Sequence, residues 1–561
     1  MEKVLQFTNG IDRYLSLADK KVQEGDLFGA LGFLYAAESK GGAPDVWQDI
    51  ADVFSEMGLY ELSNRYWFKY LSAVPKEKSG IALEELAINY FYMENLFVSS
   101  YYFHRKVLID GYISQDGLGE DIIDFFSDNF NLKKQFRIVY PFDKADYSNE
   151  LSGAKRALCN GDYRTAIKLY SSIPEGCRQF KEASNELSVV YFLTGEVDKA
   201  IDISRKALET EGKSTSILCN LSSMYKYKKN DDKSAYYYRE AKSIFDGDKE
   251  GLYKLATCSL EQGDTESAIE YLEKVCKDRP YDQNMNYLYA LALANARKMD
   301  LALSVMKKAL LVTPDNVVIK YYVDLFSSIL DGQVFDDLFP LEYISDLPQK
   351  ERQKRSRKID ALFVMETGKV IDKLNDQKVL DTVLWGLEHA GEKTAKKCVF
   401  ILTQINTPKA NAVLREKLID TEISDEVKRA ILYVWIMIGN LKKINVQIRG
   451  FFMEIKPREL PCKKDPDGML FYSAYALCLS RLIFSESSEF DKIAFATDKV
   501  YKKLKDKQNL IRMEKETVAS LIVSLSKLDK IKSDKDICSL FSANYKDYIL
   551  LKTEYEGEKN D

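Results

Sequence analysis

Three observations on these 561 residues predict an all-α chain, an α-solenoid followed by a further helical region. Gly (27) and Pro (12) are scarce against usual levels of about 7% and 5%, which disfavours turn-dense β folds and disordered linkers. Aromatics are plentiful, with 35 Tyr and 28 Phe, and 30% of residues are charged. The chain also aligns with itself at a period of about 34 residues. At roughly 150 residues per domain, three or four domains fit.

The first repeat is marked by Leu17, Ala18, Gly25, Leu27, Ala30 and Ala37, with Pro44 after it. The second is the clearest: VWQDIADVFSEMGLYELSNRYWFKYLSAVP carries Trp47, Ala51, Phe54, Gly58, Tyr60, Ser63, Trp67 and Pro75. This spacing closely resembles the tetratricopeptide (TPR) repeat, two antiparallel helices in about 34 residues. The physical reading agrees. Small residues let paired helices approach, aromatics fill the space between pairs, Gly caps the first helix and Pro ends the second.

Ala87, Tyr90, Leu96, Ser99 and Phe103 mark the third unit, so residues 1–113 hold three. Residues 114–146 break the pattern and read as an inserted helix, at about 119–136, with a loop ending at Pro141. Units four to eight follow in 147–330. They are marked in turn by Ala154, Gly161 and Tyr170; by Leu187, Gly195 and Ala207; by Leu221, Tyr225 and Tyr238; by Ala256, Gly263 and Pro280; and by Ala290, Ala302 and Pro314. Gly161, Gly195 and Gly263 stand one and then two periods apart, so the register survives the degenerate sixth unit. The resemblance covers residues 11–316, and 317–330 read as a helix sealing the last repeat.

Residues 331–358 read as a linker and the start of a basic helix. In 359–455, Lys396-Lys397 and Lys428-Arg429 each precede an apolar helix. This stretch resembles HEAT-type helical pairs, with Asp425 and Arg429 as a partial match to that pattern. Pro457, Pro461 and Pro466 mark a loop, and 456–561 read as a C-terminal helical region.

Composition also narrows function. The only two His, His104 and His389, are far apart, so catalysis through a His pair is poorly supplied. Nine Cys with no CxxC spacing argue against zinc ribbons and secreted disulfide scaffolds. The first residues lack an apolar leader core, and no stretch is long enough for a membrane span. A cytoplasmic location with no membrane partner is the expectation. The net charge of −5 is local: residues 1–110 hold 11 Lys+Arg against 16 Asp+Glu. An acidic chain is a poor general nucleic-acid binder.

Two segments imitate ligand loops. Glu211–Thr215 (EGKST) ends like a phosphate loop, but Ala207 stands where the leading Gly belongs. Phe245–Gly251 spaces Asp246, Asp248 and Glu250 like a calcium loop, yet Thr257 replaces the closing carboxylate. Both read as inter-repeat turns. No catalytic motif, metal site or cofactor is expected, and the chain reads as a non-enzyme.

The repeat family places the first helix of each pair on a concave face. Through that resemblance, Asn185, Val189, Phe192, Tyr227, Tyr253, Tyr287, Leu291 and Asn295 are expected to line a peptide-binding groove. Asp12, Asp19, Asp45, Asp52 and Glu56 are expected to form an acidic inner face for a basic partner segment. Lys155 and Asn185 stand alone, so capture of a chaperone C-terminal carboxylate is disfavoured. The function implied is a protein-interaction scaffold or adaptor that binds a partner peptide or helix. One alternative is a peptide-responsive receptor whose C-terminal helices move through a junction at 331–358. A second is nucleic-acid association through Lys350, Arg352, Lys354, Arg355, Arg357 and Lys358. The oligomeric state is left open.

Overall fold

The computed structural model describes residues 10–93, 95–110, 147–159, 162–174, 179–211, 213–335, 338, 339, 341, 346–439, 442–466, 468–484, 487–505, 514–528, 531 and 533–557. The expected inserted helix at 119–136, with Pro141 and Gly161, lies outside them. The described residues are overwhelmingly helical, as the composition predicts, with one two-stranded sheet.

In chain order the first helices are α1 (Gly10–Gln23), α2 (Leu27–Glu38), α3 (Asp45–Glu56), α4 (Tyr60–Ala73), α5 (Gly80–Tyr92) and α6 (Leu96–Asp110). The fourth to sixth units supply α7 (Ser148–Cys159), α8 (Tyr163–Ser171), α9 (Phe180–Leu193), α10 (Val197–Glu211), α11 (Thr215–Tyr227) and α12 (Asp231–Ile244). The seventh and eighth supply α13 (Lys249–Gln262), α14 (Thr265–Asp278), α15 (Gln283–Asn295) and α16 (Met299–Val312), with α17 (Val317–Leu330) after them. Next come α18 (Gln349–Phe363), α19 (Thr367–Leu374), α20 (Gln377–Glu388), α21 (Glu392–Ile405), α22 (Pro408–Ile419) and α23 (Asp425–Met437). The hairpin β1 (Ile444–Ile448) and β2 (Phe451–Ile455) precedes α24 (Met469–Arg481), α25 (Ser487–Leu504), α26 (Lys515–Leu525), α27 (Asp534–Phe541) and α28 (Tyr545–Glu556).

The helix boundaries follow local chemistry. Asp26, Asp162, Asn230 and Asp264 cap the second helices of their pairs by accepting the backbone N–H three residues on. Gly25, Gly58, Gly195 and Gly263 end first helices at positive φ. The sixth and eighth units lack this Gly, yet Lys229 (φ 57°) and Arg297 (φ 61°) hold the same conformation one period away. The fold keeps its left-handed turn even where the side chain opposes it by about 1 kcal/mol. Between paired helices, Ala30, Ala154, Ala166, Ala200, Ala256, Ala268 and Ala302 are fully buried, the close approach that small residues permit.

The described fold divides into two compact units. The first holds Met1–Leu59, Tyr147–Ala361 and Leu374–Thr394; the second holds Tyr60–Asp146, Leu362–Lys373 and Ala395–Asp561. The division falls between the two helices of the clearest repeat.

Within the first unit, successive pairs from α7 to α17 stack on their neighbours. A one-dimensional stack would leave α2 with only its own neighbours. Instead α2 also packs on α16, where the Tyr35 hydroxyl donates to the Val312 carbonyl at 2.7 Å, and its Phe28 meets Tyr281, between α14 and α15, at 5.0 Å between ring centroids.

The second unit corrects one expectation. Residues 444–455, read as part of a helical run, form an antiparallel hairpin with Ile448 opposite Phe451. Its two-residue turn has Arg449 at φ 53° and Gly450 at φ 84°, both left-handed as a tight strand reversal demands. A Cβ on Gly450 would meet the Tyr90 hydroxyl at 2.9 Å, so the turn sits against α5. No helix among the described residues is long and apolar enough to cross a membrane.

Candidate functional site

The 34-residue period places equivalent side chains of the first unit on successive first helices α9, α11, α13, α15 and α17, and contacts join them like rungs. Asn220 donates to the Asn185 side-chain oxygen at 2.9 Å. Phe192 and Tyr227 meet edge to face at 5.3 Å. The Ser223 hydroxyl donates to Glu261. Asn284 reaches the Tyr253 hydroxyl at 3.4 Å, and Tyr287 and Tyr322 meet edge to face at 5.3 Å. Asn185, Val189, Phe192 and Tyr253 are half-buried, and Tyr227 is 62% exposed. Together they make a surface of aromatic area and amides.

Ser223 and Glu261 were missed by the residue-by-residue reading. They stand one period after Val189 and Tyr227, so the same ruler reaches them. Protein crowds around Glu261 although its side chain meets solvent; this desolvation raises its carboxyl pKa, and the Ser223 hydrogen bond only partly offsets it.

The far end of the ladder is occupied. Tyr287 and Leu291, expected as exposed lining, are 1% and 0% exposed. Part of the cover is the chain itself after α17. Asn295 accepts from the Phe339 N–H at 2.8 Å and donates to the Phe339 carbonyl at 3.0 Å. The Tyr287 and Tyr322 hydroxyls reach the Asp346 carbonyl at 3.0 and 3.2 Å. The Asp346 carboxylate then accepts from Trp385 at 3.0 Å on α20 and from Arg352 at 3.3 Å on α18.

Asp12, Asp19, Asp45, Asp52 and Glu56, expected to form an acidic inner face, all stand at exposed positions. Asp49, half-buried, joins them. Desolvation raises its pKa, and Asp19 and Asp45 add to the effect. Asp52 keeps solvent access, yet dense surrounding protein and the neighbouring Asp49 push its carboxyl up to about 7. With an unfolded value of about 4, the folded chain binds the extra proton between these limits. Stability from this group is present below about pH 4 and falls as pH rises towards 7. Asp52→Asn is therefore expected to raise the thermal midpoint at pH 8 and to flatten the decline between about pH 5 and 7.5. Solvent access keeps the effect modest; an unchanged pH profile would exclude the assignment.

The basic run is partly committed within the chain. Arg352 pairs with Asp346, and Arg355 pairs with Glu351 at 3.2 Å and donates to the Asp381 carbonyl. Lys350, Lys354, Arg357 and Lys358 are exposed, and Lys354 also pairs with Glu351. Lys155 pairs with Glu182. Of the two loop imitations, Ser214 caps α11 and Asp248 caps α13, so both segments serve as helix starts. Among the described residues no His, Cys, Asp and Glu group could hold a metal ion.

Residues 250–280 match the tetratricopeptide repeat family model, the span of the seventh unit. The chain is 24% identical over 238 residues to the TPR repeat-containing protein YvcD of Bacillus subtilis (strain 168). That match covers 42% of this chain and 47% of the relative, so it spans about half the relative's length. Among solved structures, a tetratricopeptide repeat protein from Parabacteroides merdae matches at 17% identity, over 57% of this chain and 99% of that one, with a TM-score of 0.26. YrrB, described as a TPR protein with an unusual peptide-binding site, matches at 18% identity over 32% of this chain and 94% of that one, with a TM-score of 0.21.

Proposed function

We propose, from the tetratricopeptide repeats that this chain carries, that it is a non-catalytic scaffold that holds a partner peptide or helix on the first-helix face of α9, α11 and α13. Repeats of this family act as surfaces for protein partners, and the coarse reading rests on them. The observation that carries the finer reading is the ladder itself. Successive helices offer an amide pair, an aromatic pair with Tyr227 exposed, and a Ser–Glu pair in one row. Exposed Tyr227 is its natural anchor, since aromatic side chains bring large area with few rotatable bonds. The acidic residues of α1 and α3 suit a basic flank on the same partner.

Full-length chain immobilised as bait, beside its Tyr227→Ala/Tyr253→Ala variant, tests this. A partner held by the parent is expected to fall at least tenfold on the variant, with the circular dichroism spectrum unchanged. Equal retention on a folded variant would remove the groove reading. The receptor alternative draws support from Asp346, whose carbonyl meets the ladder while its carboxylate meets α18 and α20.

A further inference from the structure

We infer that the α15–α17 end of the ladder is a peptide-binding site whose resident ligand is the chain's own segment around Phe339 and Asp346–Leu347, and that a partner segment with the same anchors takes the site by exchange. This rests on the scaffold reading above and names the peptide class.

The anchors are of three kinds. Asn295 grips both the N–H and the C=O of Phe339, the pairing a strand receives from its neighbour. Such a clamp reads backbone and so fits any extended segment. The Phe339 ring is 4% exposed, 5.2 Å from Phe326, 6.4 Å from Tyr322 and stacked on Phe335 at 4.6 Å, so this subsite selects an aromatic side chain. Seven residues on, the tyrosine pair takes the Asp346 carbonyl, Arg352 and Trp385 take its carboxylate, and Leu347 is 1% exposed. The partner class is therefore a peptide with an aromatic residue followed, seven positions later, by Asp-Leu.

Exchange is favoured by how unevenly the segment is held. Phe339 and Leu347 are buried, whereas Leu338, next to the clamped residue, and Val334, five residues before it, are 74% and 79% exposed. A segment seated through separate anchors, with exposed apolar residues among them, belongs to the less stable part of a fold. Being tethered, it competes at an effective concentration on the order of millimolar. Weakening it should therefore unmask affinity for a free peptide.

The probe is a fluorescein-labelled peptide copying residues 333–348, titrated into the full chain by anisotropy. The Phe339→Ala/Leu347→Ala chain is expected to bind at least tenfold tighter than the parent. Adding Asn295→Ala should cancel that gain, and a peptide lacking the aromatic should not bind. A folded strap variant that binds no better than the parent would overturn the inference. Should that variant fail to fold, hydrogen exchange of the parent decides: saturating peptide must speed exchange at Phe339 and Leu347 at least tenfold and spare α16, and no change sinks the idea. Partner capture that depends on Tyr227 and Tyr253 without any peptide exchange would leave the scaffold reading standing and this inference failed. Exchange without that dependence would do the reverse.

Discussion

Asp420→Ala is expected to destabilise the second unit by about 3–5 kcal/mol. Asp420 is 1% exposed at the end of α22 and accepts from Lys417 at 2.9 Å, with the Arg65 guanidinium of α4 at 3.6 Å. Burial alone would raise its pKa. The Arg65 and Lys417 charges, with hydrogen bonds from Lys417 and the Glu422 N–H, outweigh that and hold the carboxyl well below the usual range. Truncation removes the counter-ion shared by two buried cations, a loss that side-chain relaxation inside packed protein repairs poorly. Because the folded pKa is depressed, this contribution is complete above the unfolded value of about 4. It is lost as pH falls further towards the folded value. Replacing Arg65, Lys417 and Asp420 together by Met, Met and Leu should recover most of the loss, since the apolar triad carries no desolvation cost. Hydrogen exchange of residues 414–421 under mild denaturant reads the effect locally. A loss below about 1 kcal/mol for Asp420→Ala would show that the pair is solvated and the buried-triad account wrong.

Tyr102→Phe is expected to cost about 2–4 kcal/mol and to loosen the β1–β2 hairpin. The Tyr102 hydroxyl donates to the Gly450 carbonyl at 2.5 Å and accepts from the Phe452 N–H at 2.8 Å. Tyr102, Gly450 and Phe452 are all buried, so deleting one oxygen strands two backbone groups away from water. The ring itself stays useful, stacked on Tyr90 at 5.7 Å, so the variant isolates the hydrogen bonds from the packing. Exchange at residues 446–453 should accelerate while the α25 and α26 amides hold. Unchanged hairpin protection would mean that neighbouring contacts, such as Phe68 stacked on Phe452 and Phe97 edge to face with Phe451, suffice to hold it.

Much of the helical layout was legible because its causes are local. Gly25, Gly58, Gly195 and Gly263 sit where a left-handed residue ends a first helix, and the period they set also locates Lys229 and Arg297 in the same conformation. The hairpin was less legible. Its alternation, Ile444, Val446 and Ile448, is short, and Arg449-Gly450 is a weaker turn signal than Asn-Gly. Register places Asn185, Phe192, Tyr227 and Tyr253 on successive first helices, and the contacts among those helices follow from the period. Register could not reveal that Tyr287, Leu291 and Asn295 are already covered. Their cover comes from residues outside the repeat pattern, where no periodicity operates.

By itself the sequence determined what depends on neighbours in the chain: helix starts, helix stops, the small residues between paired helices and the row of first-helix positions. Tertiary structure alone decided which distant surfaces meet. Tyr35 reaches Val312 across 277 positions, Tyr102 closes on Gly450 across 348, and Asn295 takes the backbone of Phe339. The physical reason is the range of the forces involved. Capping and turn preferences act over three or four residues and leave a mark in local spacing. A buried hydroxyl or amide needs only some partner, and many exposed carbonyls in the chain would satisfy it equally until packing selects one.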